Sequence, residues 1–196
     1  MARMTSDQPC LIAIGANMPS AAGDPAATVA AALAHLSGEG CVVTAVSPYY
    51  RTPAFPPGSG PDFVNAAAVL RVAAGPEAVL ARLHATEDAF ARRRRARWGP
   101  RTLDLDLIAM GDTVLPDAAT QARWRALDAA AQRSLAPDRL ILPHPRMQER
   151  AFVLVPLADI APGWRHPVLG YTVEEMVGAL PEAARAEVVP LPNRRL

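Results

Sequence analysis

Leu103-Asp104-Leu105-Asp106-Leu107-Ile108 alternates apolar and acidic side chains with a period of two. Successive side chains of a β-strand point to opposite faces, so residues two apart share a face. The stretch therefore predicts a strand with Leu103, Leu105 and Leu107 turned into a core and both carboxylates turned the other way. Two like charges held side by side repel unless a cation sits between them. Oxygen-only ligands favour a hard ion, and Mg2+ commonly takes one or two carboxylates together with substrate phosphates. On spacing alone, an exposed strand face with two unrelated acids fits equally well.

The segments on either side place this strand in a fold. Cys10–Ile14 is a short apolar run ending in Gly15-Ala16-Asn17, a strand followed by a turn. Pro25–Leu36 sets Val29, Leu33 and Leu36 at helical spacing and stops before Gly38 and Gly40. Cys41–Tyr50 is β-branched and aromatic and reads as one strand; Thr52–Pro61 is a Pro/Gly-rich loop; Phe63–Val72 reads as a strand. Pro76–Phe90 predicts a helix, with Pro76 suited to its first turn. Arg92–Pro100 is a charged loop. Beyond Ile108, Thr113–Leu115 reads as a return strand, Asp117–Ser134 as one helix and Pro143-His144-Pro145 as a turn. Met147–Ile160 suggests a short helix with irregular structure, and Thr172–Leu180 a last helix. Strand, helix, strand, strand, helix, strand is the split βαβ order. The expected fold is α+β: a ferredoxin-like βαββαβ core with a mainly antiparallel sheet covered by helices, plus a helical insertion at about 117–139. With no repeat or linker visible, residues 1–196 are expected to form a single domain.

The composition, 51% hydrophobic and 20% charged over 196 residues, fits a folded globular chain. Twenty basic residues offset nineteen acidic ones for a net charge of +1, and every basic residue is Arg. The absence of Lys excludes a Schiff base, a P-loop lysine and a lysine general base. Cys10 and Cys41 adjoin apolar runs and are expected to be buried free thiols in a reducing compartment. No apolar run approaches the ~20 residues of a membrane span, so a cytoplasmic protein with no membrane partner is expected.

Five arginines crowd into Arg92–Arg97, directly upstream of the aspartate pair. A positive loop beside a dicarboxylate suggests a polyphosphate held by metal on one side and guanidinium forks on the other. Trp98 offers a flat surface for a ring. Such a run also suits a solvated surface or a nucleic-acid patch, but it is short and the rest of the chain is not basic.

The stretch Arg97-Trp-Gly-Pro-Arg-Thr-Leu-Asp-Leu-Asp-Leu107 resembles the signature of the 6-hydroxymethyl-7,8-dihydropterin pyrophosphokinases of folate biosynthesis. Other segments resemble that family in the same order: Ile12-Ala-Ile-Gly-Ala-Asn17, Tyr50-Arg-Thr-Pro53, Asp62-Phe-Val-Asn-Ala66, Pro143-His-Pro145, Arg150-Ala-Phe-Val-Leu154 and Pro156-Leu157. The resemblance spans about residues 10–164. It implies transfer of the terminal diphosphate of ATP to the primary hydroxyl of the pterin, releasing AMP. It also implies two Mg2+ ions on Asp104 and Asp106. Thr52, Pro53, Phe55, Phe63, Asn65, Trp98 and Phe152 match pterin-side positions, with Phe63 and Phe152 sandwiching the ring and Asn65 bonding its edge. Arg92, Arg94, Trp98 and Arg101 match the catalytic loop and its nucleotide side. Glu87, His144 and Arg150 match positions near ATP, and Arg139 stands where family arginines precede the turn. Arg92 and Arg94 are expected to act in catalysis with the two aspartates.

The sequence departs from the family pattern in three places. Ala16 replaces a common Ser, the Ala54–Gly60 loop is a variant, and the Asp117–Arg139 segment is unusually long. That insertion carries Trp124, Leu127 and Leu135 at helical spacing; it either packs as a surface helix or adds contacts near the nucleotide. A metal-dependent nuclease or nucleic-acid module is a competing reading, disfavoured by the +1 charge. A non-catalytic relative kept for interactions is another, disfavoured by the intact aspartate pair and Asn65. The expected partners are ATP and the pterin alone, with no nucleic acid, and the chain is expected to be a monomer.

Overall fold

The computed structural model describes residues 8–38, 40–54, 58–90 and 102–192. Strand β1 (Gln8–Ala16) leads to helix α1 (Pro25–Leu36), then to strands β2 (Cys41–Val46), β3 (Tyr50–Thr52) and β4 (Phe63–Val72). Helix α2 (Pro76–Ala89) and strand β5 (Asp104–Met110) complete the expected βαββαβ order. β1 lies between β5 and β4, and every paired strand is antiparallel. β2 pairs with the Val72 end of β4 and β3 with its Phe63 end, so the two run one after the other along the same edge.

Local chemistry explains these boundaries. Asp24 caps α1 by accepting from the Ala27 N–H at 2.8 Å, and Pro25 opens the helix where no N–H is needed. The Cys41–Tyr50 strand expected as one piece is divided at Ser47-Pro48, because proline has no N–H to give the ladder. Ser47 repairs the gap: its N–H donates to Ala67 O at 2.9 Å and its Oγ accepts from the Ala67 N–H at 3.0 Å.

The sheet is buried on both faces. Ile12, Ile14, Leu70, Leu103, Leu105 and Leu107 pack with Val29, Leu33 and Leu36 of α1 and with Val79 and Leu83 of α2. Leu11, Ala13, Ala67 and Ile108 pack against helix α5 (Ala151–Ile160) and helix α6 (Val173–Ala179). An irregularity in the β1–β5 ladder pairs Leu11 with Ala109 and Ile12 with Leu107. The extra residue reverses the alternation, so Ala109 joins the second core and Met110 the first. Cys10 and Cys41 are buried and free, as expected, and burial pushes the Cys10 thiol up to about 12.

Several elements differ from expectation. The insertion forms two helices, α3 (Ala118–Arg125) and α4 (Ala129–Ser134), where one was expected. Asp128 accepts from the Ala130 and Ala131 N–H groups and so caps a new helix instead of continuing the old one. The return strand at Thr113–Leu115 shrinks to a single bridge between Leu115 and Leu142. A 3₁₀ turn, Met147–Glu149, precedes α5. A short helix α7 (Glu182–Ala186) and strand β6 (Val189–Pro190) add an unexpected sixth strand on β3. No helix among the described residues is long and apolar enough to cross a membrane.

His166, which carries no sequence signal beyond a surface histidine, is 0% exposed. Its Nδ1 accepts from the N–H groups of Val168 and Leu169 at 3.1 and 3.2 Å. Its Nε2–H is buried without an acceptor among the described residues. Protonating Nδ1 would set three donors against one another. Burial, with the Arg125 guanidinium nearby, holds His166 down at about 4 from an ordinary 6.5. The unfolded chain therefore takes up a proton between pH 6.5 and 4 that the folded chain does not, and stability falls as pH falls through that window. Thermal midpoints measured across it should drop, and His166→Gln should flatten the drop; an identical pH slope in the variant would contradict this assignment.

Candidate active site

The leucines decide where the aspartates go. Leu103, Leu105 and Leu107 are at most 3% exposed in the first core, so Asp104 and Asp106 project from the opposite face of β5, half-exposed. On that face the ladder sets Asp104 opposite Gly15 of β1 and Gly15 opposite Asn65 of β4. Asn65 and Asp104 thus share a row, separated by two strand spacings, about 10 Å. Gly15 keeps the row open: a Cβ there would sit 2.9 Å from Asn65 Oδ1.

This row forms part of the floor of a cleft of about 1050 Å³. At one end are Thr52, Pro53, Phe63, Asn65 and Phe152. Asn65 is 5% exposed, and its Nδ2 donates to Thr52 Oγ1 at 2.7 Å. Phe63 is half-buried and Phe152 is 39% exposed, unusual for a residue on a helix whose neighbours are core. Asn17 also lines this end and donates to Pro61 O at 3.0 Å.

Arg150 joins the two halves of the site. Its guanidinium donates to Asp106 Oδ2 at 3.3 Å and lies 5.7 Å from the Phe152 ring centroid. Burial lowers its pKa from the usual arginine value, while Asp106 and Asp104 favour the charged form. His144 also lines the cleft; its own N–H donates to Ile108 O at 2.8 Å, fixing the Pro143-His144-Pro145 turn against β5. Its Nδ1 accepts from the Arg146 N–H at 3.1 Å, leaving the proton on Nε2. Burial, then the charges of Arg150 and Arg146, holds its pKa well below 6.5. His144 is a neutral N–H donor near neutral pH, not a cation.

Glu87 supports the strand that carries the aspartates. It is 1% exposed and accepts from the Leu105 N–H at 2.9 Å, which seats it along the outer edge of β5; it is not among the cleft-lining residues. Arg139 does line the cleft and pairs with Asp138 at 3.4 Å. Phe55, Arg92, Arg94, Trp98 and Arg101 lie outside the described residues. The insertion contributes Trp124, Leu127 and Leu135 to the lining. Of the residues given no role from sequence, Gly15 and Asn17 had a signal in the Gly-Ala-Asn turn. Glu187 and Val188, also in the lining, had none.

Among the described residues no group of three His, Cys, Asp or Glu side chains forms a self-sufficient metal site. Two carboxylates facing an open cleft fit Mg2+, which keeps positions for water and for substrate phosphates.

Paired carboxylates, a buried amide and two aromatic rings around one cleft are the features of a small-molecule site on an α+β fold. The family model for 7,8-dihydro-6-hydroxymethylpterin-pyrophosphokinase (HPPK) matches residues 11–162, and the chain belongs to that family. It is 35% identical to a 2-amino-4-hydroxy-6-hydroxymethyldihydropteridine pyrophosphokinase of Methylorubrum extorquens, over 86% of this chain and 91% of that one. It is 43% identical to the Synechocystis protein of the same name, over 70% of this chain and 60% of the relative's length. The fold matches the Plasmodium falciparum HPPK-DHPS wild-type crystal structure with a TM-score of 0.60 at 13% identity, covering 87% of this chain and 44% of that one. A further structure, an HPPK-DHPS in complex with substrates, matches with a TM-score of 0.63 at 11% identity over 89% of this chain and 45% of that one.

Glu87→Ala removes the acceptor of a buried backbone N–H, so it should destabilise the fold by about 1–3 kcal/mol. Urea titration should show a lower midpoint with an unchanged slope; a wild-type midpoint would show that Glu87 does not support β5.

Proposed function

We propose that the chain transfers the terminal diphosphate of ATP to 6-hydroxymethyl-7,8-dihydropterin, giving AMP and the pterin diphosphate in folate biosynthesis, as a single pyrophosphokinase domain. Membership of the pyrophosphokinase family supports this reading, and one observation carries it for this chain. The Asn65–Gly15–Asp104 row leads along one face of the sheet from an orienting amide to a pair of carboxylates.

The pterin ring is assigned to the space between Phe63 and Phe152, where a flat heteroaromatic gains from stacking. Asn65, held by Thr52, presents its remaining donor and acceptor to the ring edge. The pterin hydroxyl is then directed along the row toward Asp104 and Asp106. These two residues would hold Mg2+, two ions being expected, which when bound neutralise phosphate charge and orient the triphosphate. A bond forms from the pterin hydroxyl oxygen to the β-phosphorus as the bond from that phosphorus to the oxygen of AMP breaks, the electron pair leaving with AMP and the hydroxyl proton passing to water. No described side chain is assigned as general base, and positioning supplies most of the gain.

Arg150, fixed on Asp106 and over Phe152, keeps the two substrate ends in register. His144 offers a neutral Nε2–H to a phosphate oxygen. Arg139, and the loop residues Arg92, Arg94 and Arg101, are assigned to phosphate, with Trp98 beside the rings and Phe55 on the pterin side. The same reading takes the protein as a cytoplasmic monomer acting on two small molecules, with no nucleic-acid or membrane partner.

AMP release from ATP should require both Mg2+ and the dihydropterin; a folded sample that releases none would overturn the assignment. Asp104→Asn and Asp106→Asn should each lower that release about 100-fold or more, since several kcal/mol of charge stabilisation are lost. Gly15→Ala crowds Asn65 Oδ1, so it should raise KM for the pterin about tenfold, one hydrogen bond's worth, and leave KM for ATP near wild type. An equal rise in both would place Gly15 outside pterin recognition.

A further inference from the structure

The insertion is fastened to the catalytic cleft. Leu115 and Leu142 exchange backbone hydrogen bonds at 2.9 and 3.2 Å, closing the segment at its base. Asp117 caps α3 by accepting from the Thr120 N–H at 2.8 Å. Gln121, 0% exposed, donates from Nε2 to Pro143 O at 3.3 Å, inside the turn that carries His144. That turn is itself bonded to β5 through Ile108 O. So α3 is held in place on the turn that follows β5.

β5 is the edge strand of the sheet, and the pterin-side residues Thr52, Phe63 and Asn65 come from strands further in. A triphosphate that reaches Asp104 and Asp106 from the side the pterin does not occupy has its nucleoside beyond the β5 edge. There the lining includes Trp124, Leu127 and Leu135 of the insertion. Trp124 and Leu127 are half-buried, and Leu135 is 50% exposed, a large apolar side chain left facing the opening. An indole and two leucines make a wall suited to a flat, weakly hydrated purine ring, not to a phosphate or a ribose.

We infer that the 117–139 insertion is a base-recognition element: Trp124, Leu127 and Leu135 form a wall against the adenine ring of ATP. This rests on the diphosphate-transfer reading above and adds to it the residues that hold the base.

Calorimetric titration with α,β-methylene-ATP and Mg2+ tests it, with inorganic triphosphate as a probe that lacks the base. Trp124→Ala should weaken the nucleotide analogue about tenfold and leave inorganic triphosphate and the dihydropterin unchanged, with Trp124→Phe recovering most of the loss. Leu135→Ser, at a half-exposed site that should tolerate a polar side chain, should weaken the analogue without lowering the melting temperature; it serves if Trp124→Ala does not fold. Wild-type affinity for the analogue in the folded variants overturns the base-recognition role alone. So does an equal loss for inorganic triphosphate. Failure of the wild-type chain to bind the analogue overturns this inference together with the ATP reading beneath it.

Discussion

Everything at the cleft depends on the register of one edge strand. Leu103, Leu105 and Leu107 are buried with α1 and α2, each contributing about 1.5–3 kcal/mol by leaving water. A slip of one residue would expose all three and bury two carboxylates, a change no partial repacking offsets. The hydrophobic core thus aims the charged pair, and the pair needs no help from its own chemistry to face the cleft. Glu87 secures this arrangement along the outer edge of β5 by accepting the N–H of Leu105, the residue between the two aspartates.

From that strand the site is built by crossing the sheet, not by following the chain. Gly15 and Asn65 stand beside Asp104 because antiparallel pairing puts them in one row. Gly15 is small because the Asn65 amide oxygen occupies the space a Cβ would take. α5 covers the same face and brings Arg150 to its start, where one guanidinium meets Asp106 and the Phe152 ring. A near-neutral chain, with a net charge of +1, therefore holds a locally organised field: carboxylates in front, a partly buried arginine between Asp106 and the Phe152 ring, and a histidine kept neutral by burial and its arginine neighbours.

Much of this was legible in the sequence where a repeating pattern carried it. The period-two run at Leu103–Leu107 predicts both the strand and the shared face of its aspartates, and the order of elements predicts the βαββαβ core. Patterns failed where single residues decided. Pro48 ends β2 early, and Asp128 prefers capping to continuing a helix, yet each sits inside a run that otherwise looks continuous. β6 has only two residues, too few to show a period. Glu87 carries only a family match near ATP and His166 no signal beyond a surface histidine, because a carboxylate or an imidazole is ordinarily solvated and nothing in the neighbouring residues announces its burial. Their burial is justified only by backbone N–H groups that the fold brings to them. Trp124, Leu127 and Leu135 show helical spacing, but spacing alone does not tell a surface helix from a wall of the cleft.

The most direct measurement is a crystal structure of the chain with α,β-methylene-ATP, Mg2+ and 6-hydroxymethyl-7,8-dihydropterin. The expected result is the pterin between Phe63 and Phe152 with its edge on Asn65, and Mg2+ bound to Asp104 and Asp106 next to the triphosphate. A pterin bound away from Asn65, or a metal held without the two aspartates, would contradict the account.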